Sequence, residues 1–271
     1  GLLIDTLQVT VLAVLQGLTE FLPVSSSGHL LLPAALLGWQ DQGLTLDIAV
    51  HLGTLVAVIL YLRRDLMALA AGSCRWLLKR VESDESRLAL KLLVATLPAG
   101  LAGLALRAVI EANARSLAIV AATSIIFAVL LWLADRSGTR RVNAVPFSEL
   151  TVPGALFIGV AQAFALIPGT SRSGVTMTAA RFLGLTREDS ARFSFLLSIP
   201  IILASGLALV GANRTASAAI DSMTLGYAAA VSALVAFLTI HFFMRLLPRV
   251  GVLPFVIYRI LFGALLLVWL A

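Results

Sequence analysis

Long apolar runs separated by short polar connectors dominate the chain. Ile48 to Leu62, Leu92 to Leu106, Leu117 to Ala134, Ser194 to Val210, Leu225 to Met244 and Leu253 to Leu270 all follow this pattern. A helix rises about 1.5 Å per residue and the hydrocarbon core of a bilayer is about 30 Å thick, so runs of this length predict spanning helices. None shows the dyad alternation that membrane barrel strands need, and in hydrocarbon only helices or closed barrels satisfy the backbone. The predicted fold class is therefore an all-α polytopic membrane protein with six transmembrane helices, and Pro98 predicts a kink in the second of them.

Two further apolar stretches are interrupted. Leu2 to Leu18 predicts a helix, but Pro23 and the run Ser25-Ser26-Ser27-Gly28 break it, and Leu30 to Gly38 is too short to cross on its own. Residues 2–38 are therefore expected to form a re-entrant hairpin, which the bilayer tolerates when the irregular tip is buried in protein or lines a wet cavity. The pattern returns from Thr151 to Ile167, with the break Pro168-Gly169-Thr170-Ser171-Arg172-Ser173-Gly174 and a short helix from Val175 to Leu185, a second hairpin over 151–185.

The two hairpins are in register. Gln162 minus Gln16, Ser171 minus Ser25, Ser173 minus Ser27, Gly174 minus Gly28 and Gly184 minus Gly38 all equal 146. Three complete spans separate the hairpins, and because three is odd the second must enter from the opposite face. The expectation is one membrane domain over 1–271 built as an inverted-topology repeat, the first unit about 1–134 and the second about 150–271. In such architectures sites lie near the midplane at broken helices.

Composition agrees: 60% of residues are hydrophobic and 13% charged, and mean hydropathy is +1.00. Ordinary soluble domains are about 45–50% apolar and about 25% charged. The net charge of +6 does not indicate nucleic acid, because the basic residues sit in connectors beside apolar runs. Arg63, Arg64, Arg75, Lys79, Arg80, Arg87, Lys91, Arg136, Arg140, Arg141, Arg181, Arg187, Arg192, Arg245 and Arg249 fall on one side, which the positive-inside rule makes cytoplasmic; Arg107, Arg115 and Arg214 fall opposite. Between 66 and 90 a surface helix around Arg75 to Arg80 and an acidic loop are expected, and 107–116 and 135–149 read as polar loops. Cys74, the only cysteine, excludes an intrachain disulfide and a multi-cysteine metal site. The N-terminal run lacks a basic n-region and is interrupted by Asp5 and Gln8, so no cleavable signal peptide is expected.

An ionisable group at membrane depth is a functional-site hypothesis by default. Glu20 alone among the acids lies well inside a hairpin, and Gln16, four residues earlier, shares its helical face. A carboxylate there can hold a hard cation; the plainer alternative is a buried acid bonded to neighbouring serines. Ser25, Ser26, Ser27 and Gly28 lead into His29 at the start of a half-helix, where free amides favour an anion. In the second tip Ser171, Arg172, Ser173 and Gly174 precede a half-helix in the same way, and the Arg172 guanidinium suits bidentate contact with phosphate oxygens. Its alternative is a structural bridge to Glu20. Asp47 and His51 share a face near the outer surface as a cap and a packed polar residue, His241 sits at the cytoplasmic boundary, and Arg259, after Tyr258, either faces the site or snorkels.

The stretches QGLTEFLPVSSSGH from Gln16 and PGTSRSG from Pro168 resemble the two signature motifs of the undecaprenyl-diphosphate phosphatases, the bacitracin-resistance proteins of bacterial cell-wall synthesis. HLGT from His51, FSFLLSIP from Phe193 and LPFVIYR from Leu253 extend the resemblance over essentially the whole chain. It implies removal of the terminal phosphate of a polyprenyl diphosphate in the bacterial inner membrane, recycling the lipid carrier, with a divalent cation, Mg2+ or Ca2+, and a site facing the outside. It implies Glu20 as the principal acid and metal ligand, Ser26 as nucleophile or phosphate ligand, His29 as acid/base and Arg172 as phosphate clamp. Ser25, Ser27, Gly28, Ser171, Ser173 and Gly174 would line the phosphate. Gln16 stands where some members carry Glu, which leaves it a weak metal ligand. A homodimer is compatible with the resemblance. Ser27-Gly28-His29 also imitates an element of the acid-phosphatase-like lipid phosphatases, but no second histidine follows Ser171-Arg172 within ten residues. The rival class is a lipid-phosphate transporter or flippase, because inverted repeats with broken helices are transporter architecture.

Overall fold

The computed structural model describes residues 6–39, 44–113, 116–140, 143–212 and 220–270; Arg115, Arg141, Arg214 and residues 2–5 of the first hairpin lie outside these, as does the Arg107 side chain. The described chain is helical, with no strand and only an isolated bridge between Val145 and Leu185. The helices are α1 (Thr6–Thr19), α2 (Ser26–Leu30), α3 (Leu32–Leu37), α4 (Leu44–Tyr61), α5 (Arg63–Lys79), α6 (Asp84–Asn113), α7 (Leu117–Thr139), α8 (Val152–Ala163), α9 (Arg172–Phe182), α10 (Arg187–Ala212), α11 (Ser222–Val250) and α12 (Leu253–Leu270).

Among the described residues α6, α7, α10, α11 and α12 are long and apolar enough to cross a membrane. The sixth expected span, α4, meets that criterion only together with α5, from which it is bent by 76°. The protein is thus a multi-pass membrane protein. Its outer surface is apolar in the way lipid requires: on α6, Leu93, Leu97, Leu101 and Leu104 form one exposed stripe at helical spacing.

Helices overrun several expected boundaries. The polar loop expected over 107–116 is mostly helix, since α6 continues to Asn113, and the loop expected from Asp135 begins only after α7 ends at Thr139. Hydropathy marks where lipid ends, whereas residues such as Ala108 and Ala112 let a helix continue into water. The second half-helix starts at Arg172, not Val175, because Ser171 caps it: its Oγ accepts from the Gly174 amide at 3.1 Å.

Packing is reciprocal between the two halves. In each half the hairpin helix that enters the break lies on a long helix of the other, α1 on α11 and α8 on α6. Likewise α4 packs on α11 and α10 on α6, while α4 meets α10 and α7 meets α12. The α4–α11 contact is close because Gly53 lies against the backbone of Ala229 and the Ser232 hydroxyl, which donates to the Val50 carbonyl at 2.8 Å. Small residues permit such approach where no hydrophobic effect drives helices together. The buried core runs through Phe21, Phe193, Phe195, Ile240 and Phe243, and the Phe21 and Phe195 rings meet edge-on at 5.4 Å. This apolar floor lies directly beneath the polar tips.

Candidate functional site

The two tips adopt the same backbone. Ser25 (φ 79°) and Ser171 (φ 71°), 146 residues apart, both sit in a region that non-glycine residues avoid. Each caps the helix that follows: Ser25 Oγ accepts from the Gly28 amide at 3.2 Å, matching Ser171 with Gly174. The hydroxyls of Ser27 and Ser173 lie 3.2 and 3.4 Å from those of Ser25 and Ser171. The tips touch directly, since Ser173 Oγ donates to the Leu22 carbonyl at 2.9 Å. Strain of this kind persists only where the surroundings over-determine it, and such places cluster at functional sites.

Arg259 joins the tips from below. It is fully buried, contrary to a snorkelling residue, and reaches equivalent positions of both repeats: Nη1 donates to the Pro23 carbonyl at 3.3 Å and Nη2 to those of Gly169 and Thr170 at 2.9 Å each. Gly169 has to be glycine, with φ +89° and a Cβ position already filled by the Thr123 hydroxyl and, at 2.6 Å, by the Val120 carbonyl.

Above the floor the structure brings Glu20, Gln16, Ser26 and Arg172 together. Glu20 is 8% exposed. Its Oε2 accepts from Gln16 Nε2 at 2.9 Å and from Ser26 Oγ at 2.8 Å. Arg172 Nη2 lies 3.4 Å from Glu20 Oε1, and Nη1 donates to the Ser194 carbonyl at 3.3 Å. The guanidinium stands 6.0 Å from the Phe21 ring centre. Both of its bonds are long and its buried Nε has no partner, so the cation keeps donor capacity. The pairing of Glu20 with Arg172, first read as a structural alternative, therefore coexists with spare capacity for an anion.

His29 goes elsewhere. Its Nδ1 donates to the Ser25 carbonyl at 2.6 Å, which leaves Nε2 to accept from the Tyr258 hydroxyl, also at 2.6 Å. Its ring stacks on Phe262 at 4.5 Å. The histidine that faces the carboxylate is His51, whose Nε2 lies 3.9 Å from Glu20 Oε2. Sequence reasoning had placed His51 with Asp47 as a packed polar residue; the signal available was the cost of any imidazole inside an apolar run. His241 is half-buried and packs edge-on against Tyr61 and Phe242, and Cys74 is exposed.

A divalent cation fits these residues in part. Glu20 supplies a carboxylate, and the Gln16 Oε1 beside it is buried without a partner. Among the described residues no three His, Cys, Asp or Glu side chains cluster as a ready-made cage.

Residues 9–265 match the family model for the bacitracin resistance protein BacA. The chain belongs to the BacA family. Curated BacA-like relatives cover nearly all of it: the undecaprenyl-diphosphatase of Alcanivorax borkumensis is 51% identical over 267 residues, 98% of this chain and 100% of its own length. That of Hahella chejuensis is 51% identical over 265 residues, 97% of this chain and 98% of its own. Undecaprenyl-diphosphatase 2 of Stutzerimonas stutzeri is likewise 51% identical over 265 residues, with the same coverage. The motifs that carried the resemblance in the sequence are thus those that form the two tips of this BacA fold.

Proposed function

We propose that this protein hydrolyses undecaprenyl diphosphate to undecaprenyl phosphate and inorganic phosphate, recycling the carrier lipid of cell-wall synthesis and thereby giving bacitracin resistance. The work is done in the bacterial plasma membrane, at a pocket facing outward, between hairpins inserted from opposite leaflets. The observation that carries the reading is the under-satisfied Arg172 guanidinium beside the Glu20–Ser26 pair: a cation with a free donor, a hydroxyl and its acceptor, gathered where the two helix breaks meet.

The diphosphate docks against the amide ends of α2 and α9, with Ser25, Ser27, Gly28, Ser171, Ser173 and Gly174 around it and Arg172 on its terminal oxygens. Ser26 Oγ, or a water it orders, attacks the terminal phosphorus. The P–O bond to the lipid phosphate breaks as the new one forms, undecaprenyl phosphate leaves, and the proton released passes to Glu20 Oε2, which already accepts from the Ser26 hydroxyl at 2.8 Å. Where Ser26 attacks, a water then cleaves the phosphoserine, its oxygen leaving on phosphorus as inorganic phosphate while Ser26 Oγ takes a proton back. A divalent cation held at Glu20, with Gln16, supplies neutralisation of the diphosphate charge. His29, expected as acid/base, is engaged with Tyr258 and holds the tip in place unless that bond opens.

Phosphate release from a short-chain prenyl diphosphate in detergent tests the reading, because no sidedness exists there and a pure flippase releases none. Arg172→Ala should lower kcat/KM by about a hundredfold or more, as loss of a transition-state donor does. Near-normal turnover in that variant would refute the clamp. Ser26→Ala separates the attackers: loss of nearly all turnover with folding intact supports a phosphoserine, and substantial residual turnover supports water.

A further inference from the structure

We infer that His51 is a ligand of the site's cation, supplying through Nε2 the donor that Gln16, as an amide in place of a second carboxylate, cannot. The inference rests on the cation proposed at Glu20 above and names a residue that lies outside the two signature motifs and the tips they form.

The argument begins with a distance. His51 Nε2 and Glu20 Oε2 lie 3.9 Å apart. That is beyond a hydrogen bond, which closes by about 3.2 Å, and short of a water bridge, in which two bonds of about 2.8 Å meeting near the tetrahedral angle hold the ends about 4.6 Å apart. Two donors each about 2.1 Å from one ion stand about 3.0 Å apart at right angles and about 3.4 Å apart at the tetrahedral angle. The pair therefore has to close by about half an ångström to share an ion, a shift within reach of one side-chain torsion.

The tautomer is also set. His51 Nδ1 lies 2.7 Å from the Asp47 carbonyl, which can only accept, so the ring proton sits on Nδ1 and the lone pair of Nε2 faces Glu20. A backbone carbonyl behind the distal nitrogen is the usual support of a metal-bound imidazole. Within reach of the same carboxylate is the buried, unpartnered Gln16 Oε1, a neutral oxygen with an unused lone pair. The protein donors are then one carboxylate, one imidazole and one amide. Their combined charge of −1 leaves a bound dication with a net positive charge to meet the diphosphate, next to Arg172. The ring is on the accessible side: the His51 side chain is 38% exposed against 7% for Glu20. An ion entering from that side displaces a donor from Glu20 Oε2, which already accepts from Gln16 Nε2 and Ser26 Oγ.

A nitrogen ligand alters metal preference. Imidazole suits Ni2+, Fe2+ and Zn2+, whereas an all-oxygen set suits Mg2+, Ca2+ and Mn2+. The site should therefore bind Ni2+ better than a carboxylate-only site of the same charge would, and its Ni2+ affinity, far more than its Ca2+ affinity, should depend on His51, with Mn2+ serving as the spectroscopic probe.

The test uses the purified full chain in detergent with Mn2+ and methylenediphosphonate, a non-hydrolysable diphosphate head. Electron spin-echo spectra of bound Mn2+ should show a directly coordinated nitrogen. The signal should persist in His29→Ala and vanish in His51→Ala, with Ni2+ Kd raised about tenfold or more and Ca2+ Kd changed by less than about twofold. His51→Gln, which keeps a polar group of similar reach, should lose the nitrogen signal as well and guards against a folding defect in the alanine variant. Absence of nitrogen coupling in the wild type, or its survival in both His51 variants, overturns the assignment. Phosphate release without nitrogen coupling would leave the proposed hydrolysis standing and remove His51 from the cation; coupling without phosphate release would do the reverse.

Discussion

Replacing Arg259 by Met tests whether one buried cation holds the two tips together. The substitution keeps length and removes the guanidinium. Three carbonyls then lose their donor: Pro23 at 3.3 Å, Gly169 at 2.9 Å and Thr170 at 2.9 Å. Hydrogen bonds to charged groups contribute about 1.5–3 kcal/mol each, so the gross loss is roughly 4–9 kcal/mol. Against it stands relief from burying a guanidinium that is 0% exposed and whose Nε has no partner, a desolvation cost of several kcal/mol. The net expectation is destabilisation of about 3 kcal/mol. At about 2–3 °C per kcal/mol for a chain of 271 residues, the melting temperature in detergent should fall by roughly 6–9 °C. Function should suffer more than stability, because Gly169 and Thr170 lead directly into Arg172, and a displacement of about 1 Å at a reacting centre costs about a hundredfold in rate. Arg259→Lys should fall between, since an ammonium is a point donor and cannot reach both tips as a planar fork does. Phosphate release and thermal melting of the same preparations measure both effects. A Met variant that melts within about 2 °C of wild type and keeps its turnover would refute the clamp.

Three other perturbations follow from the same geometry. Gly169→Ala should strongly reduce folded yield, because its Cβ would overlap the Thr123 hydroxyl and the backbone of Val120 at φ +89°, whereas Gly38→Ala, at φ +64° with open space around it, should cost about 1 kcal/mol; thermal melts compare the two. At the other end of α9, Asp135 accepts from Arg181 Nε at 3.0 Å and from Arg187 Nη2 at 2.6 Å, so Asp135→Ala leaves buried guanidinium charge uncompensated and should destabilise by about 3–5 kcal/mol; turnover per folded molecule should stay near wild type, which a melt and an assay on the same sample would check. At Ser171, Ala removes the cap and keeps the strained φ, while Gly removes the cap and relieves the strain. Ser171→Gly should therefore melt higher than Ser171→Ala, by about 1 kcal/mol, and the reverse order would argue that the backbone there is unstrained.

Much of the architecture was legible because the bilayer imposes simple rules. Apolar runs mark spans, and the polar breaks at Ser25 and Ser171 stood out against them; their shared offset reappears as two serines with the same unusual φ and the same cap. The meeting of Glu20 with Arg172 followed from placing both breaks at one depth. What was not legible depends on approach between distant segments. His51 lies on α4, outside both motifs, and only the packing of α4 beside α1 turns its ring toward Glu20. Arg259 reads as one basic residue in an apolar helix, and nothing local distinguishes a residue reaching for the interface from one bonded to three carbonyls. His29 sits in the motif, yet its partner comes from α12, so its engagement with Tyr258 was invisible in the linear pattern. The extra turns of α6 were missed because hydropathy reports the solvent around a helix and not the helix itself.

Duplicated halves of a membrane protein can in principle trade shapes, each taking the conformation of its twin, and many carriers cycle by that exchange. Among the described residues the donors that serve the carbonyls of the breaks do not come in twins. The Leu22 carbonyl is served by Ser173, its counterpart at Pro168 by Thr123, and Pro23 and Gly169 by the same arginine, Arg259. An exchange of shapes would strand each of these oxygens in a place with no proton to meet it. The broken helices keep the outline of a carrier, but their internal wiring is fixed to a single posture, as suits a pocket that must hold its reacting groups still.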